Sequence, residues 1–452
     1  MDYKVRPRRL RLHSEKAMFP SKPVPKPPSR SADHGVRLGP LPELLVSFVK
    51  QRFGRPLAAH GEAVAAISRN FTSDRNELTP AYLSSPPARA AYLAYYAVTG
   101  AATVQAALEL AGAWDRLPKD RLRILDLGAG PLSATLGVAA VAGPATRLQI
   151  TAIDGVRTAM QDGGQVLATL RPDAELTIHA GNLREAKFLH SSAGGEYDLI
   201  LFANVLNEWS VGGRKTMTPG ALVESVLERH LAPGGIALIV EPATRHGSHV
   251  VIETREHLAT SLGWPILAPC RGAKVCPLAT SHKDWCFTER SWTRPPHIVA
   301  YDTAMEHDRS TLKFSYLAVQ RTEPAASDPK QFRVIGGPMR DAGLLRRYVC
   351  GPDGRRVVEV PELQAPPALG SAWRGDILTL NGVAGETNRQ GRREPVLQLS
   401  DLPPPRPRPP EGRGSFEREG PRPGFESGAP PRNGPRSAPR TGGGPRPSRP
   451  KR

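Results

Sequence analysis

Four cysteines are the residues of this sequence best suited to hold an inorganic centre. Cys270, Cys276 and Cys286 fall within seventeen residues, and Cys350 follows 64 residues later. Four cysteines are too few for a disulfide scaffold in a chain of 452 residues. Because three of the four lie so close together, we expect them to be ligands rather than incidental buried thiols.

The spacing leaves the kind of centre open. Four thiolates suit either tetrahedral zinc or an iron–sulfur cluster. Five and nine residues separate the first three cysteines, unlike the paired C-x-x-C knuckles typical of structural zinc. A proline follows Cys276, as it does some cluster ligands. Either centre would tie the region around Cys350 to the earlier cysteines; unligated thiols, with Cys350 unrelated, are the third interpretation.

A glycine-containing turn indicates a nucleotide-type pocket. Gly128 and Gly130 allow a tight turn and close approach of a ligand, although Ser133 replaces the third glycine of a dinucleotide fingerprint. Asp126 precedes the turn, and Asp154 ends the next apolar run, where a carboxylate can accept hydrogen bonds from ribose hydroxyls. An ordinary strand-to-helix turn, with Asp154 as a helix cap, is the alternative.

Short apolar runs alternating with helix-length stretches must position these residues. Such runs, bounded by Gly, Asp and Pro, predict βαβ units and a parallel sheet, which binds ligands at the carboxyl ends of its strands. The fold class we predict is α/β, with a doubly wound, mainly parallel, Rossmann-like sheet. Its predicted strands are 123–127, 148–153, 176–179, 199–202, 236–240 and 312–319.

The regions on either side of this sheet have different patterns. Helical periodicity over residues 41–117 predicts an N-terminal helical domain, with Thr79 and Pro80 at one helix start. Strand-like runs with glycine-rich turns over residues 332–380 predict a small C-terminal β-rich extension.

The charge of the chain is concentrated at its ends. Of the formal net charge of +18, residues 1–36 carry +6 and residues 401–452 carry +7. Their composition predicts disorder, and mobile cationic segments raise affinity for RNA through counterion release. A solubilising tail without a partner is the alternative. No apolar run approaches the roughly 18 residues of a membrane span.

Over residues 120–321, the chain resembles the class I S-adenosylmethionine-dependent methyltransferases. The resemblance is carried by the turn at residues 124–133, by Asp154, and by the Pro-Gly-Gly that introduces the fifth strand. The resemblance implies S-adenosylmethionine as cofactor. By position, it places the amino-acid end of the cofactor at Asp126, Gly128 and Gly130, and the ribose at Asp154. It places the adenine at Asn182 and the methyl group at Asn204.

The segment after the fourth strand departs from the pattern of many base methyltransferases. They carry an Asn/Asp-Pro-Pro-aromatic run, whereas this chain has Asn204-Val205-Leu206-Asn207-Glu208-Trp209. Glu208 is a candidate base and Trp209 a candidate stacking residue, but capping and core packing explain both equally well. The sequence therefore assigns no catalytic residue.

A narrower resemblance, over residues 40–380, is to the ribosomal small-subunit Rsm-type family, which includes methyltransferase-like protein 17. It is carried by Val240-Glu241-Pro242, Arg255, Ala268-Pro269-Cys270, Cys276-Pro277-Leu278, Asp284-Trp285-Cys286-Phe287 and Lys313-Phe314-Ser315-Tyr316-Leu317. It implies a [4Fe–4S] cluster on Cys270, Cys276, Cys286 and Cys350, and work on the small ribosomal subunit. The run Arg271-Gly272-Ala273-Lys274 departs from the Pro-His type of run in relatives.

These features lead to three functional hypotheses. The first is an rRNA-directed factor with S-adenosylmethionine and a cluster, which binds small-subunit rRNA during assembly or methylates it. The second is a catalytically inactive rRNA-binding assembly factor. The third is a small-molecule or protein methyltransferase with a structural zinc site. We expect a monomer without membrane contact, in a bacterial-type cytoplasm, with the mitochondrial matrix as the alternative location.

The expected domain organisation combines these regions. It comprises a disordered basic N-terminus at 1–36, a helical domain at 37–119, a methyltransferase-like domain at 120–325 with a cysteine-rich insertion at 264–295, a β-rich domain at 326–395, and a disordered Arg/Pro/Gly tail at 396–452.

Overall fold

A computed structural model of the protein describes residues 36–54, 57–72, 82–209, 217–270, 272–281, 283–322, 328–381, 383–387 and 396–399. The basic ends, which we expect to be disordered, and the helix start at Thr79 and Pro80 lie outside the described residues. None of the described helices is long and apolar enough to cross a bilayer.

The central sheet has eight strands among the described residues, in the order β3-β2-β1-β4-β5-β8-β6, with β7 also paired to β8. Strands β1 to β5 run parallel, and β8 is antiparallel to β5. All six predicted strands are present, so the predicted fold class is confirmed. The strands are β1 Arg121–Leu127, β2 Arg147–Asp154, β3 Glu175–Ala180, β4 Tyr197–Ala203, β5 Leu231–Pro242, β6 Ile266–Ala268, β7 Thr288–Ser291 and β8 Thr311–Gln320.

Helices cover both faces of this sheet because alternate strand residues point to opposite sides. Ile124 and Leu201 face one core, while Leu125 and Ile200 face the other. Buried residues of α5 and α6 join the first core, and those of α7, α8 and α9 join the second. These helices are α5 Ser133–Val141, α6 Arg157–Leu170, α7 Ala186–Ala193, α8 Pro219–His230 and α9 Arg245–Glu256.

The predicted N-terminal helices are also present, and they share a core with the sheet. Among the described residues, four α-helices precede β1, and a π-helical turn at Tyr92–Tyr96 joins the last two. Their buried residues belong to the same cluster as the first face of the sheet. The helices are α1 Leu41–Phe53, α2 Gly61–Thr72, α3 Pro86–Ala91 and α4 Ala97–Leu110.

A second, mainly antiparallel sheet follows α10 (Pro296–Ala304) and β8, and confirms the predicted β-rich extension. Its strand order is β13-β9-β11-β12-β15-β14, with β10 paired to β11. Val334, Val349 and Val358 form its core together with Leu369 of α11 (Pro367–Ser371). The strands are β9 Gln331–Val334, β10 Met339–Asp341, β11 Leu344–Gly351, β12 Gly354–Pro361, β13 Ile377–Thr379, β14 Val383–Thr387 and β15 Val396–Leu399.

Candidate cofactor crevice and cysteine centre

The carboxyl ends of β1 to β4 bring the predicted cofactor residues to one edge of the central sheet. Gly128 follows β1, Asp154 ends β2, Asn182 follows β3, and Asn204 follows β4. These strands are neighbours in parallel register, so their ends lie side by side. Asn182 and Asn204 are exposed, and Asp154 is half-buried. The edge of the sheet thus presents a carboxylate and two amides around the glycine turn.

Asp154 holds the glycine turn against the end of β2. Its Oδ2 accepts a hydrogen bond from the Gly130 amide at 3.0 Å, and its Oδ1 accepts one from the Val156 amide at 2.8 Å. Burial raises the pKa of this carboxyl, and the two hydrogen bonds oppose that rise. Each carboxylate oxygen can accept more than one hydrogen bond, so ribose hydroxyls could still donate to Asp154.

Asp126 lies beneath the turn rather than in the crevice. Asp126 is only 1 % exposed. Its Oδ2 accepts hydrogen bonds from the Thr135 amide at 3.3 Å and the Thr135 hydroxyl at 2.6 Å. Burial raises the pKa of Asp126 to about 6. Asp126 therefore secures the first turn of α5, and a contact between it and the cofactor remains a prediction.

The glycine at 128 is required by packing as well as by backbone conformation. Gly128 has a φ of +69°, and a Cβ there would lie 2.4 Å from Cγ2 of Val205. A side chain at 128 would therefore displace the segment that follows β4, so the turn and that segment are fixed against each other.

Two tyrosines that the sequence did not single out lie beside the crevice. The rings of Tyr82 and Tyr92 are 6.4 Å apart. Burial is the main cause that raises the pKa of Tyr82, and the neighbouring Tyr92 and the carboxylates of Glu208 and Asp154 raise it further. Leu83 packs on Val156, next to Asp154. The segment before α3 thus places aromatic surface, on which a flat base can stack, next to the predicted ribose site; no motif marks Tyr82.

The segment after β4 is held by a buried carboxyl at the end of β5. Glu241 accepts hydrogen bonds from the amides of Leu206, at 2.8 Å, and Asn207, at 3.3 Å, and also from the Asn207 side-chain amide. Burial raises the pKa of Glu241 to about 8. Asn204 has a φ of +59°, and its backbone N–H donates to the Val240 carbonyl at 2.8 Å. The segment is therefore a fixed part of the framework.

Of the two candidates in this segment, only Glu208 has an exposed side chain. Trp209 is buried, and its Nε1 donates to the Met217 carbonyl at 2.7 Å. The Arg184 guanidinium lies 5.2 Å from the Trp209 ring centroid and donates to the carbonyls of Glu208 and Trp209. Stacking of a target base on Trp209 would require this ring to be uncovered.

The cysteines come together from two parts of the chain. Cys270, Cys276 and Cys286 lie in the connection between β6 and β7, and Cys350 lies near the end of β11. The turn after Cys350 touches that connection. A Cβ on Gly272 would lie 3.8 Å from Pro352, and one on Gly354 would lie 4.0 Å from the Pro277 Cβ.

The four thiols influence one another electrostatically. Burial raises the pKa of Cys276, and so do Cys270, Cys286 and Cys350; burial, Cys270 and Cys286 likewise raise the pKa of Cys350 to about 12. All four are half-buried and free of disulfides. Within the described part of the chain, no three His, Cys, Asp or Glu side chains are grouped so that they could hold a metal ion.

Two buried arginines accompany the thiols, of which only Arg255 stood out in the sequence. Arg333 Nη1 donates to Cys286 Sγ at 2.8 Å. Burial raises the pKa of Cys270, and the neighbouring Arg255 opposes this rise. Both arginines and Cys270 line a cavity of 1230 Å³ bordered by β6, β9 and β13, and not by the carboxyl ends of β1 to β4. Nothing in the sequence marks Arg333, because its contact depends on how the second sheet docks.

Several solved methyltransferase structures resemble the chain only distantly. Fibrillarin from Aeropyrum pernix, solved with bound S-adenosylmethionine, is 16% identical over 44% of this chain and 67% of its own, with a TM-score of 0.27. Precorrin-6y C5,15-methyltransferase from Geobacter metallireducens is 13% identical over 47% of this chain and 88% of its own, with a TM-score of 0.29. At TM-scores this low, the structural similarity gives no information about the function of this chain. No curated protein matches the chain.

A protein-family model gives the informative match. The family is described as "Mitochondrial small ribosomal subunit Rsm22", and its model matches residues 87–360. That range begins in α3, includes the glycine turn and the ends of β1 to β4, and contains all four cysteines. Because the match extends over more than half of the chain, the protein belongs to the Rsm22 family.

Proposed function

We propose that this protein acts on the small ribosomal subunit, binding its rRNA during assembly with a methyltransferase fold that holds S-adenosylmethionine. The observation that carries the proposal is the family match over residues 87–360, whose description names that subunit. The same description supports the mitochondrial matrix over a bacterial-type cytoplasm as the location. The basic ends add salt-dependent affinity for rRNA phosphates.

The crevice at the carboxyl ends of β1 to β4 is the proposed cofactor site. Asp154 would hold the ribose, the turn at Gly128 and Gly130 the amino-acid end, and Asn182 the adenine. The positive φ of both glycines and the exposure of Asn182 support this assignment. When bound, S-adenosylmethionine supplies an electrophilic methyl group. The residues of the chain itself bind and orient it, and Asp154 keeps the turn in place through the Gly130 amide.

Titration calorimetry with S-adenosylmethionine tests this site. We expect the wild type to bind, and Asp154→Ala to bind at least tenfold more weakly because it loses both the acceptor and the tie to Gly130. Asp173→Ala is the matched control, since Asp173 is exposed and precedes β3 at the opposite, amino end of the strands. Equal binding by the wild type and Asp154→Ala, or no binding by the wild type, would contradict the proposed site.

The four cysteines fit the donor set of a [4Fe–4S] cluster, which we propose they hold. Their sulfurs are free, half-buried and mutually coupled, and the Arg333 N–H is directed at one of them. A single zinc ion needs all its ligands about 2.3 Å from one point, whereas a cluster distributes its thiolates over several irons. Because no such ligand group is formed among the described residues, the cluster proposal is supported by the cysteine spacing and the family resemblance and not by the geometry.

Anaerobic purification followed by an absorption spectrum and iron and sulfide analysis tests the cluster. We expect a brown protein with about four irons per chain, as a four-cysteine cluster of this type contains. Cys270→Ser should lose colour and stability, because metal binding contributes folding free energy. A colourless wild type with stoichiometric zinc would instead establish the structural zinc site.

Methylation of the rRNA is the second candidate, and the segment after β4 favours binding alone. The Asn207 amide is already hydrogen-bonded to Glu241, and Trp209 is buried. Transfer of tritiated methyl groups to small subunits from a deletion strain separates the two activities. We expect binding without transfer; incorporation that Asp154→Ala abolishes would establish the enzyme.

Selectivity for the small subunit is the direct test of the main proposal. The purified protein should bind small-subunit rRNA at least tenfold more tightly than large-subunit rRNA at the same salt concentration. Matching salt matters because phosphate contacts alone give unselective affinity. Equal affinity for both RNAs would contradict a dedicated role on the small subunit.

A further inference from the structure

A short 3₁₀ turn at Tyr82–Ser84, here called the cover turn, lies against the glycine turn of the crevice. A Cβ placed on Gly130 would lie 3.5 Å from Cδ1 of Leu83. Leu83 is buried and packs with Val156 and Ala159 at the start of α6. Leu83 therefore anchors the cover turn above the amino-acid end of the proposed cofactor site.

Tyr82 is the half-buried aromatic residue of the cover turn. Its ring packs against that of Tyr92, with the two centroids 6.4 Å apart. Burial mainly raises the pKa of Tyr82, and the carboxylates of Glu208 and Asp154 add to the rise, so the phenol lies within electrostatic reach of the ends of β2 and β4. An aromatic face beside a ribose site is suited to packing on a nucleoside.

A buried arginine of α3 holds the cover turn in place. Arg89 is 5 % exposed, and its Nη1 donates to the carbonyls of Leu83, at 3.0 Å, and Ser84, at 2.8 Å. Its Nε donates to Oδ2 of Asp162 in α6 at 2.8 Å, and Asp162 is also buried. One planar guanidinium thus bonds two carbonyls of the cover turn and a carboxylate of α6, an arrangement that lysine cannot reproduce.

The same helix also supports the glycine turn. Gly163 follows Asp162 in α6, and a Cβ there would collide with the carbonyl oxygen of Pro131. Helix α6 therefore contacts the glycine turn through Gly163 and the cover turn through Asp162 and Arg89. Because one helix contacts both turns, it fixes the position of each relative to the other.

We propose that the cover turn closes the cofactor crevice with Tyr82 packed on the adenosine part of S-adenosylmethionine, and that Arg89 is the positioning residue that holds Tyr82 there. This inference rests on the cofactor site proposed above and extends that site to the N-terminal helices. Arg89 bonds the cover turn and Asp162, so it acts on the cofactor through Tyr82. A cover that is ordered before the ligand arrives lowers the entropic cost of binding.

Titration calorimetry of the full-length protein with S-adenosylmethionine and with adenosine tests the role of Tyr82. Tyr82→Ala should bind both ligands at least tenfold more weakly than the wild type, because the aromatic face is lost. Tyr82→Phe, which keeps the ring, should bind both within twofold of the wild type. Equal weakening in Tyr82→Phe and Tyr82→Ala, or an effect on S-adenosylmethionine but not on adenosine, would overturn the packing on adenosine.

Arg89→Met tests the positioning role, and Arg52→Met is the matched control. The Nε of Arg52 donates to the same Asp162 at 3.2 Å, but within the described part of the chain no hydrogen bond joins Arg52 to the cover turn. Arg89→Met should weaken S-adenosylmethionine binding at least tenfold, and Arg52→Met less than twofold. Equal weakening in both variants would show that only the charge balance of Asp162 matters, and would refute the positioning role.

A double variant separates positioning from a loss of overall stability. In a Tyr82→Ala background, Arg89→Met should weaken binding less than threefold, because the residue through which it acts is absent. A tenfold effect in both backgrounds would mean that Arg89 acts independently of Tyr82, against the proposal. If Arg89→Met does not fold, Arg89→Lys, which keeps the charge beside Asp162 and loses the fork, takes its place in the same comparison.

Failure of this inference can be told apart from failure of the cofactor site beneath it. A wild type that binds neither S-adenosylmethionine nor adenosine overturns both. A wild type that binds, with Asp154→Ala weakened and Tyr82→Ala unchanged, retains the site and overturns the cover alone. Weakening in both of these variants, with the effect of Arg89→Met dependent on Tyr82, supports the inference.

Discussion

At the scale of single residues, the cofactor crevice is built from side chains at the carboxyl ends of neighbouring strands. Asp154, Asn182 and Asn204 follow apolar runs, and strand ends are readable from such runs. The same logic placed Asp126 with them, yet its carboxylate lies under the turn, bound to Thr135. Arg333 could not be predicted at all, because it touches Cys286 only through the docking of two sheets that are distant in sequence.

Glu241 gives a prediction about pH at this scale. Its pKa is raised from 4.5 to about 8 in the folded protein because burial disfavours the charge. The folded state therefore retains a proton that the unfolded state releases, so stability is fully present below about pH 4.5 and is lost as the pH rises towards 8. Glu241→Gln cannot titrate and should lack this loss.

Urea denaturation of both proteins between pH 5 and 9 measures the effect. The free energy of unfolding of the wild type, relative to Glu241→Gln, should fall with rising pH by up to about 1.4 kcal/mol per pH unit within the window. Because both proteins contain Asp126, whose pKa is also raised, its contribution cancels in the difference. A pH-independent difference would show that Glu241 is ionised in the folded protein.

At the scale of elements, alternation and periodicity identified the strands and N-terminal helices, since both patterns follow from local geometry. These patterns did not show that α4 packs beside α5 on the sheet face, because that packing depends on a close approach between the backbones of the two helices. A Cβ on Gly137 would lie 2.7 Å from the Ala101 carbonyl oxygen. Gln105 of α4, which is buried, donates to the Gly137 carbonyl at 2.7 Å.

Gly137→Ala should therefore destabilise the protein, although alanine favours helices over glycine by about 1 kcal/mol. Backbone atoms cannot yield as a flexible side chain does, so we expect a net loss of about 1–3 kcal/mol. Gly61→Ala in α2 is the control, because nothing lies within 4 Å of its Cβ position. Thermal unfolding should show a lower midpoint than the wild type for Gly137→Ala and an unlowered midpoint for Gly61→Ala. Equal midpoints for the two variants would contradict the close packing of α4 on α5.

At the scale of the whole molecule, the family match and the charge lie in different parts of the chain. The match covers residues 87–360, whereas residues 1–36 and 401–452 carry +13 of the net charge of +18. Composition alone revealed the concentration of charge at the ends, whereas the family match marks the part of the chain between them. In the proposed function, the folded part supplies selectivity for the small subunit, and the ends supply unselective, salt-dependent affinity.

Replacing residues 401–452 by a Gly/Ser segment of equal length should separate these contributions. The substitution removes a net charge of +7, so rRNA affinity at low salt should fall and the slope of log K against log salt should become shallower. Each lost phosphate contact reduces that slope by about 0.7–0.9. Filter binding from 50 to 300 mM salt measures both, and the ratio of small- to large-subunit rRNA affinity should stay constant. A ratio that collapses with the tail would place selectivity in residues 401–452 instead of in the fold.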